Sequence, residues 1–137
     1  MDTVIDTNVF VYRAIKDSEY HESSRSLLAS IPKWLVPTIV VHEVVWVLGE
    51  LLGKGKALAF IKALISHRKT EIVPVIKQDI SSALGRIENE NISLLRYNDK
   101  LVVLAAKRMN AALLSYDKQL LSQAVKQGIP IINPYKL

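Results

Sequence analysis

Cysteine is absent from all 137 residues, which excludes disulfides, zinc–thiolate centres and cysteine nucleophiles. That absence fits a reducing interior, and the cytoplasm is the expected compartment. Asp2 and Asp6 stand where a signal peptide would place positive charge, so the first residues are not expected to act as one. The most apolar stretch, Trp34 to Leu52, is interrupted by Pro37, His42, Glu43 and Glu50. A carboxylate central in lipid is costly, so no membrane span is expected. Aromatic residues make up 7% of the chain and are scattered along it, so no base-stacking ladder is visible. Lys and Arg form no run longer than Arg68-Lys69 or Lys107-Arg108. The formal net charge of +5 is nevertheless consistent with a polyanionic partner.

Two familiar motifs fail on inspection. His21-Glu22 and His42-Glu43 begin like the zinc-protease HExxH pattern, but Arg25 and Trp46 occupy the second histidine position. Gly53-Lys54-Gly55-Lys56 lacks the spacing and the Ser/Thr of a phosphate-binding P-loop and reads as a turn between helices.

The residues present are enough for one domain spanning 1–137, half of them hydrophobic. Short apolar runs at Thr3–Asp6, Trp34–Val36, Glu71–Val75, Ala111–Ser115 and Ile129–Ile132 read as strands. Val9–Ile15, Tyr20–Ser30, Lys56–Ser66, Ile80–Glu88, Asp99–Met109 and Lys118–Gln127 read as helices, with Asn98 as a cap and Gly128 as a stop. Thr38–Leu52 is ambiguous: its β-branched residues favour a strand, its length and Pro37 a helix. Strands alternating with helices predict an α/β fold with a mostly parallel central sheet flanked by helices. Ligands bind such sheets beyond the carboxyl ends of the strands.

Four carboxylates stand out. Asp6 closes the first strand, Asp117 follows the fourth, and Asp99 opens a helix. Each has an ordinary alternative role as a helix cap or first-turn acid. Glu43 lacks that alternative: as a helical residue it lies four from both Ile39 and Val47, among apolar neighbours, unless it borders the face and reaches solvent or a lysine. If the four converge, their repulsion calls for a hard cation, and all-oxygen ligation suits magnesium or manganese. An acidic metal cup in a basic protein points to phosphodiester hydrolysis.

The order of these residues resembles the PIN-domain nucleases. Val4-Ile5-Asp6-Thr7-Asn8-Val9-Phe10 is similar to the family's opening strand, and Pro37 followed by His42-Glu43-Val44-Val45 to its second acidic position. Asn98-Asp99-Lys100-Leu101 resembles the third, Leu113-Leu114-Ser115-Tyr116-Asp117 the fourth, and Ile129-Pro130-Ile131-Ile132-Asn133-Pro134 the last strand. The resemblance implies a PIN-like three-layer sandwich and RNA cleavage with Mg2+ or Mn2+. It further implies a VapC-type toxin with a cognate antitoxin, often as a homodimer. It makes Asp6, Glu43, Asp99 and Asp117 the catalytic, metal-holding residues, supported by Asn8 and Ser115. Arg13, Arg96, Lys100 and Lys118 lie near these positions and are candidates for phosphate contacts. Lys118, Gln119 and Leu120 stand where many relatives carry another acid, which puts a second metal site in doubt.

Two other readings remain. A haloacid-dehalogenase-like phosphatase also starts with an aspartate after its first strand, but needs a second acid where this chain has Asn8. An inactive or regulatory RNA-binding PIN module would need none of the four acids. Val45, Trp46 and Leu51 supply either a contact patch between subunits or ordinary core.

Overall fold

The structure is a computed structural model describing residues 1–136. Five strands are present: β1 (Thr3–Ile5), β2 (Trp34–Pro37), β3 (Thr70–Val73), β4 (Ala112–Leu114) and β5 (Ile131–Ile132). They form one sheet in the order β3-β2-β1-β4-β5, with every neighbouring pair parallel. β1, β2 and β4 are buried throughout, as expected for a parallel sheet covered by helices.

The flanking helices are α1 (Thr7–Ala14), α2 (His21–Ser30), α3 (Thr38–Leu52), α4 (Lys54–Ser66), α5 (Lys77–Glu90), α6 (Tyr97–Arg108) and α7 (Lys118–Lys126). Among the described residues none is long and apolar enough to cross a membrane. The chain lays β2 and β3 to one side of β1, then returns to place β4 and β5 on the other. The winding direction therefore reverses between β1 and β4, and a crevice opens beyond their carboxyl ends.

α3 resolves the ambiguity of its β-branched run in favour of a helix. Val40, Val44 and Leu48, spaced four apart, are completely buried, so tertiary packing outweighs the weak strand preference of valine. Val45 and Trp46 lie off that face and Leu51 at the end of the helix, and all three are exposed, which removes the reading of them as core. α6 is the central helix: every residue from Lys100 to Ala106 is buried. A smaller core of Ala83, Leu101 and Leu104 joins it to α5.

Several boundaries differ from the sequence reading. β1 ends at Ile5, and Asp6 instead caps α1, which starts two residues ahead of its apolar pattern. α6 starts at Tyr97, so Asn98 lies inside the helix and does not cap it. A 3-10 turn over Leu94–Arg96, capped by the Ser93 hydroxyl, feeds straight into α6 and leaves no cap position for Asn98. Gly128 does stop α7, at φ +75. A Cβ there would touch nothing, so Gly128→Ala should cost about 1 kcal/mol through backbone strain alone, read as a lower urea midpoint with unchanged slope.

Candidate active site

Asp6 is held at the reversal point by both strands that flank it. Its backbone N–H donates to Leu114 O at 3.0 Å, which fixes the end of β1 against β4. One carboxylate oxygen accepts from the Thr7 N–H at 2.8 Å, and the other from the Ser115 hydroxyl at 2.7 Å. Asn8 completes the link: its amide N lies 3.4 Å from Asp6 Oδ2 and 3.3 Å from Ser115 Oγ, while its Oδ1 accepts the Tyr116 N–H at 3.0 Å. Ser115 Oγ also accepts the Asp117 N–H at 3.0 Å. Asn8 and Ser115 thus stitch α1 to the β4–α7 turn, and Asn8 performs work that an aspartate could not, because its amide must donate.

Glu43 faces this crevice from α3. The Thr7 hydroxyl donates to its Oε1 at 2.7 Å, and the Asn98 amide donates to its Oε2 at 3.2 Å. Neither partner stood out in the sequence as a support. The signals were present in outline, since Thr7 follows Asp6 and Asn98 precedes Asp99, but their pairing spans 36 and 55 residues.

Asp99 sits in the first turn of α6, half-buried, with Arg96 Nη2 2.9 Å from its Oδ2. That contact is an ion pair without hydrogen-bond alignment, so Arg96 Nε and Nη2 have no hydrogen-bond partner. Arg96 Nη1 donates to Gln119 at the start of α7. Asp117 caps α7, its Oδ1 accepting from the N–H groups of Gln119 at 2.9 Å and Leu120 at 3.2 Å.

Electrostatics link the four acids more widely than direct contact does. Asp6, only 8% exposed, is pushed up from 3.8 to about 6. Burial is the largest cause; the hydrogen bonds from Ser115 and Thr7 oppose it, and the charges of Glu43 and Asp99 add to it. Asp99 is also raised, first by burial, against the Arg96 guanidinium, and further by Asp117 and Glu43. Even so, no three His, Asp or Glu side chains among the described residues already stand close enough together to hold one metal ion. Arg96 occupies Asp99, and the helix cap occupies one oxygen of Asp117.

The four cations expected near phosphate fare differently. Lys100 is buried and donates to both oxygens of Glu90, at 2.7 and 3.0 Å, which leaves it committed to that pair and not to a phosphate. Arg13 lines a cleft of about 570 Å³ together with Phe10, Trp34, Phe60 and Arg68. Arg96 is on Asp99, and Lys118 extends over Tyr135.

An all-parallel sheet with acids gathered beyond the ends of β1 and β4 defines a class of α/β proteins with an acidic crevice. The sequence model of the PIN domain matches residues 3–126, and the chain belongs to that family. PIN domains are typically nucleases and generally metal-dependent. Among solved structures, the chain is similar to Mycobacterium tuberculosis VapC20, a sarcin–ricin-loop-cleaving toxin, with a TM-score of 0.80 at 15% identity over 88% of this chain and 94% of that one. It is also similar to VapBC2 of Rickettsia felis bound to a promoter DNA fragment, with a TM-score of 0.70 at 18% identity over 97% and 98%. A toxin–antitoxin complex from Klebsiella pneumoniae matches with a TM-score of 0.65 at 15% identity over 98% and 99%. No curated protein sequence matches the chain.

Proposed function

We propose that the chain is a divalent-metal-dependent endoribonuclease whose centre is made by Asp6, Glu43, Asp99 and Asp117, and that it is the toxin of a VapBC-type pair. The observation that carries the reading is geometric: Asp6, framed by Ser115, Asn8 and Thr7, stands beyond the carboxyl ends of β1 and β4, with Glu43 held beside it through Thr7. Burial first, then the charges of Glu43 and Asp99, push Asp6 up to about 6. A carboxyl that binds its proton so readily is one that lacks a positive partner. The donor set is entirely oxygen and fits magnesium or manganese in chemistry. When bound, such an ion supplies Lewis acidity toward a phosphoryl oxygen and a more acidic water. The chain's own part is to aim Asp6 through Ser115 and Asn8, and Glu43 through Thr7 and Asn98. Arg96 serves as the counterion of Asp99.

The basic, apolar-floored cleft beside Arg13 and Arg68 suits an acidic amphipathic segment of an antitoxin. The exposed Val45, Trp46 and Leu51 on α3 supply a patch for a homodimer. A cytoplasmic location follows from the same reading. Non-catalytic RNA binding is the second reading, favoured by the lack of any ready-made cluster of three acids among the described residues. A structured RNA pool incubated with Mg2+, Mn2+ or EDTA separates the two. Defined fragments that appear with metal and vanish in EDTA are the expected result, whereas equal RNA binding in all three with no fragments supports the second reading.

A further inference from the structure

Aromatic residues scattered in the sequence are gathered by the fold. Four of the five tyrosines form one cluster: Tyr12 and Tyr20 have ring centroids 5.1 Å apart, Tyr12 and Tyr116 4.9 Å, and Tyr20 and Tyr116 4.8 Å. Tyr135 closes it, 5.7 Å from Tyr20 and 5.9 Å from Tyr116, with its ring edge-on to both. The cluster abuts the acidic crevice. Tyr116 lies between Ser115 and Asp117, and its N–H is held by Asn8 at 3.0 Å. Burial, Tyr20, Glu19 and the charge of Asp117 together raise the Tyr135 hydroxyl, so Asp117 lies within electrostatic reach of this ring.

The cluster is fixed from within. The Tyr116 hydroxyl bonds Ser23 Oγ at 2.6 Å, and the Tyr135 hydroxyl donates to Tyr116 O at 2.6 Å. Tyr116 is buried and Tyr12 and Tyr20 are half-buried, but Tyr135 is 39% exposed. Lys118, next to Asp117, places its Nζ 4.6 Å from the Tyr135 ring centroid. A rigid, partly exposed ring with a flexible cation lying over it and a candidate phosphodiester-cutting centre at its edge combines the elements that bind an unpaired nucleotide: once the lysine swings off, a stacking surface for the base and a positive charge for the phosphate.

We propose that Tyr135 and Lys118 form a shelf that seats an unpaired RNA base next to the phosphate presented to the acidic crevice, with Tyr116 and Tyr20 holding the shelf rigid. This rests on the ribonuclease reading above. The shelf selects single-stranded or looped RNA over a continuous duplex, because only an unstacked base can lie on the ring. Lys118 leaves the ring to pair with the phosphate on the same nucleotide.

The test is the binding of a fluorescein-labelled single-stranded RNA of mixed sequence to the Asp99→Asn protein in Mg2+, with the RNA checked on a gel afterwards. Tyr135→Leu, which retains apolar packing but not the aromatic face, should weaken binding about five- to a hundredfold, and Tyr135→Phe should leave it within about twofold. Lys118→Ala should reduce the salt dependence by about one phosphate contact. The shelf is overturned if Tyr135→Leu binds as tightly as the parent, if Tyr135→Phe loses as much as Tyr135→Leu, or if the parent binds no RNA. Its fate separates cleanly from that of the nuclease reading. Metal-dependent cutting by the wild type with no effect of Tyr135→Leu removes the shelf alone. RNA that is bound through Tyr135 but never cut removes the nuclease alone.

Discussion

Asp99→Asn is expected to lower magnesium-dependent RNA cleavage by about a hundredfold or more while leaving the helix start intact. Removing a residue that merely orients a metal ligand typically costs 10–100-fold, so losing Asp99 as the ligand proposed above should reach at least the upper end of that range. Asp99 is the acid whose charge joins the two halves of the crevice, because it is raised by Asp117 on the α7 side and by Glu43 on α3. Asparagine keeps the shape of the side chain and a first-turn position on α6 but supplies no charge to a cation. Single-turnover cleavage across a Mn2+ titration should show a weaker metal requirement curve as well as a lower plateau. Undiminished cutting would remove Asp99 from the centre.

Arg96 should behave in the opposite sense toward the metal. Its guanidinium lies 2.9 Å from the carboxylate that the cation would use, so Arg96→Gln removes a competing charge. Apparent Mn2+ affinity, followed by calorimetry on the RNA-free protein, should tighten by about three- to tenfold, a modest gain because the pair is partly exposed and screened. Weaker metal binding in Arg96→Gln would mean that the arginine shapes the site rather than occupying it.

The sequence displayed the acids but not the company they keep. Asp6 was legible because a buried parallel strand must end at the carboxyl edge of the sheet, and Asp117 followed by the same logic from β4. The helix Thr38–Leu52 was legible from Pro37 and its length, even though valines dominate it. Local pattern could not reveal that Arg96 would lie on Asp99, because the turn Leu94–Arg96 carries no periodicity that distinguishes it from loop. Lys100 looked like a surface cation beside a motif, yet packing of α6 against its neighbours buries it on Glu90. Asn98 read as a cap by residue type alone, a preference that the preceding turn overrides. The tyrosine cluster was the least legible feature of all. Residues 12, 20, 116 and 135 meet only because β4 and the segment after β5 fold back over α1 and α2, a long-range consequence that no window of sequence contains.

Asp6 offers the other large effect, on stability rather than on rate. Moving its carboxyl from 3.8 to about 6 on folding leaves the ionised form about 3 kcal/mol worse off in the fold than in the unfolded chain. Between those two values the folded state binds more protons than the unfolded one, so stability falls as pH rises. The contribution is fully present below pH 3.8 and lost once pH has passed about 6. In EDTA at pH 7.5, Asp6→Asn should therefore be more stable than wild type. Asparagine can still accept from Thr7, but the Ser115 hydroxyl must turn to receive its amide, which offsets about 1 kcal/mol. The net expectation is a gain of about 1–2 kcal/mol, seen as a Tm higher by about 3–7 °C at pH 7.5, vanishing between about pH 4 and 5 and turning into a small loss below, where only the hydrogen-bond cost remains. Millimolar Mn2+ should reverse the order, because a cation that binds only the folded wild-type centre stabilises that protein and not the variant. A lower Tm for Asp6→Asn in EDTA at pH 7.5 would mean that Asp6 is held mainly by its hydrogen bonds. A difference that did not change with pH would mean that burial does not raise its proton affinity. A reversal by metal would tie the two largest effects together: the crowding of buried acids that weakens the fold is also what a cation would relieve.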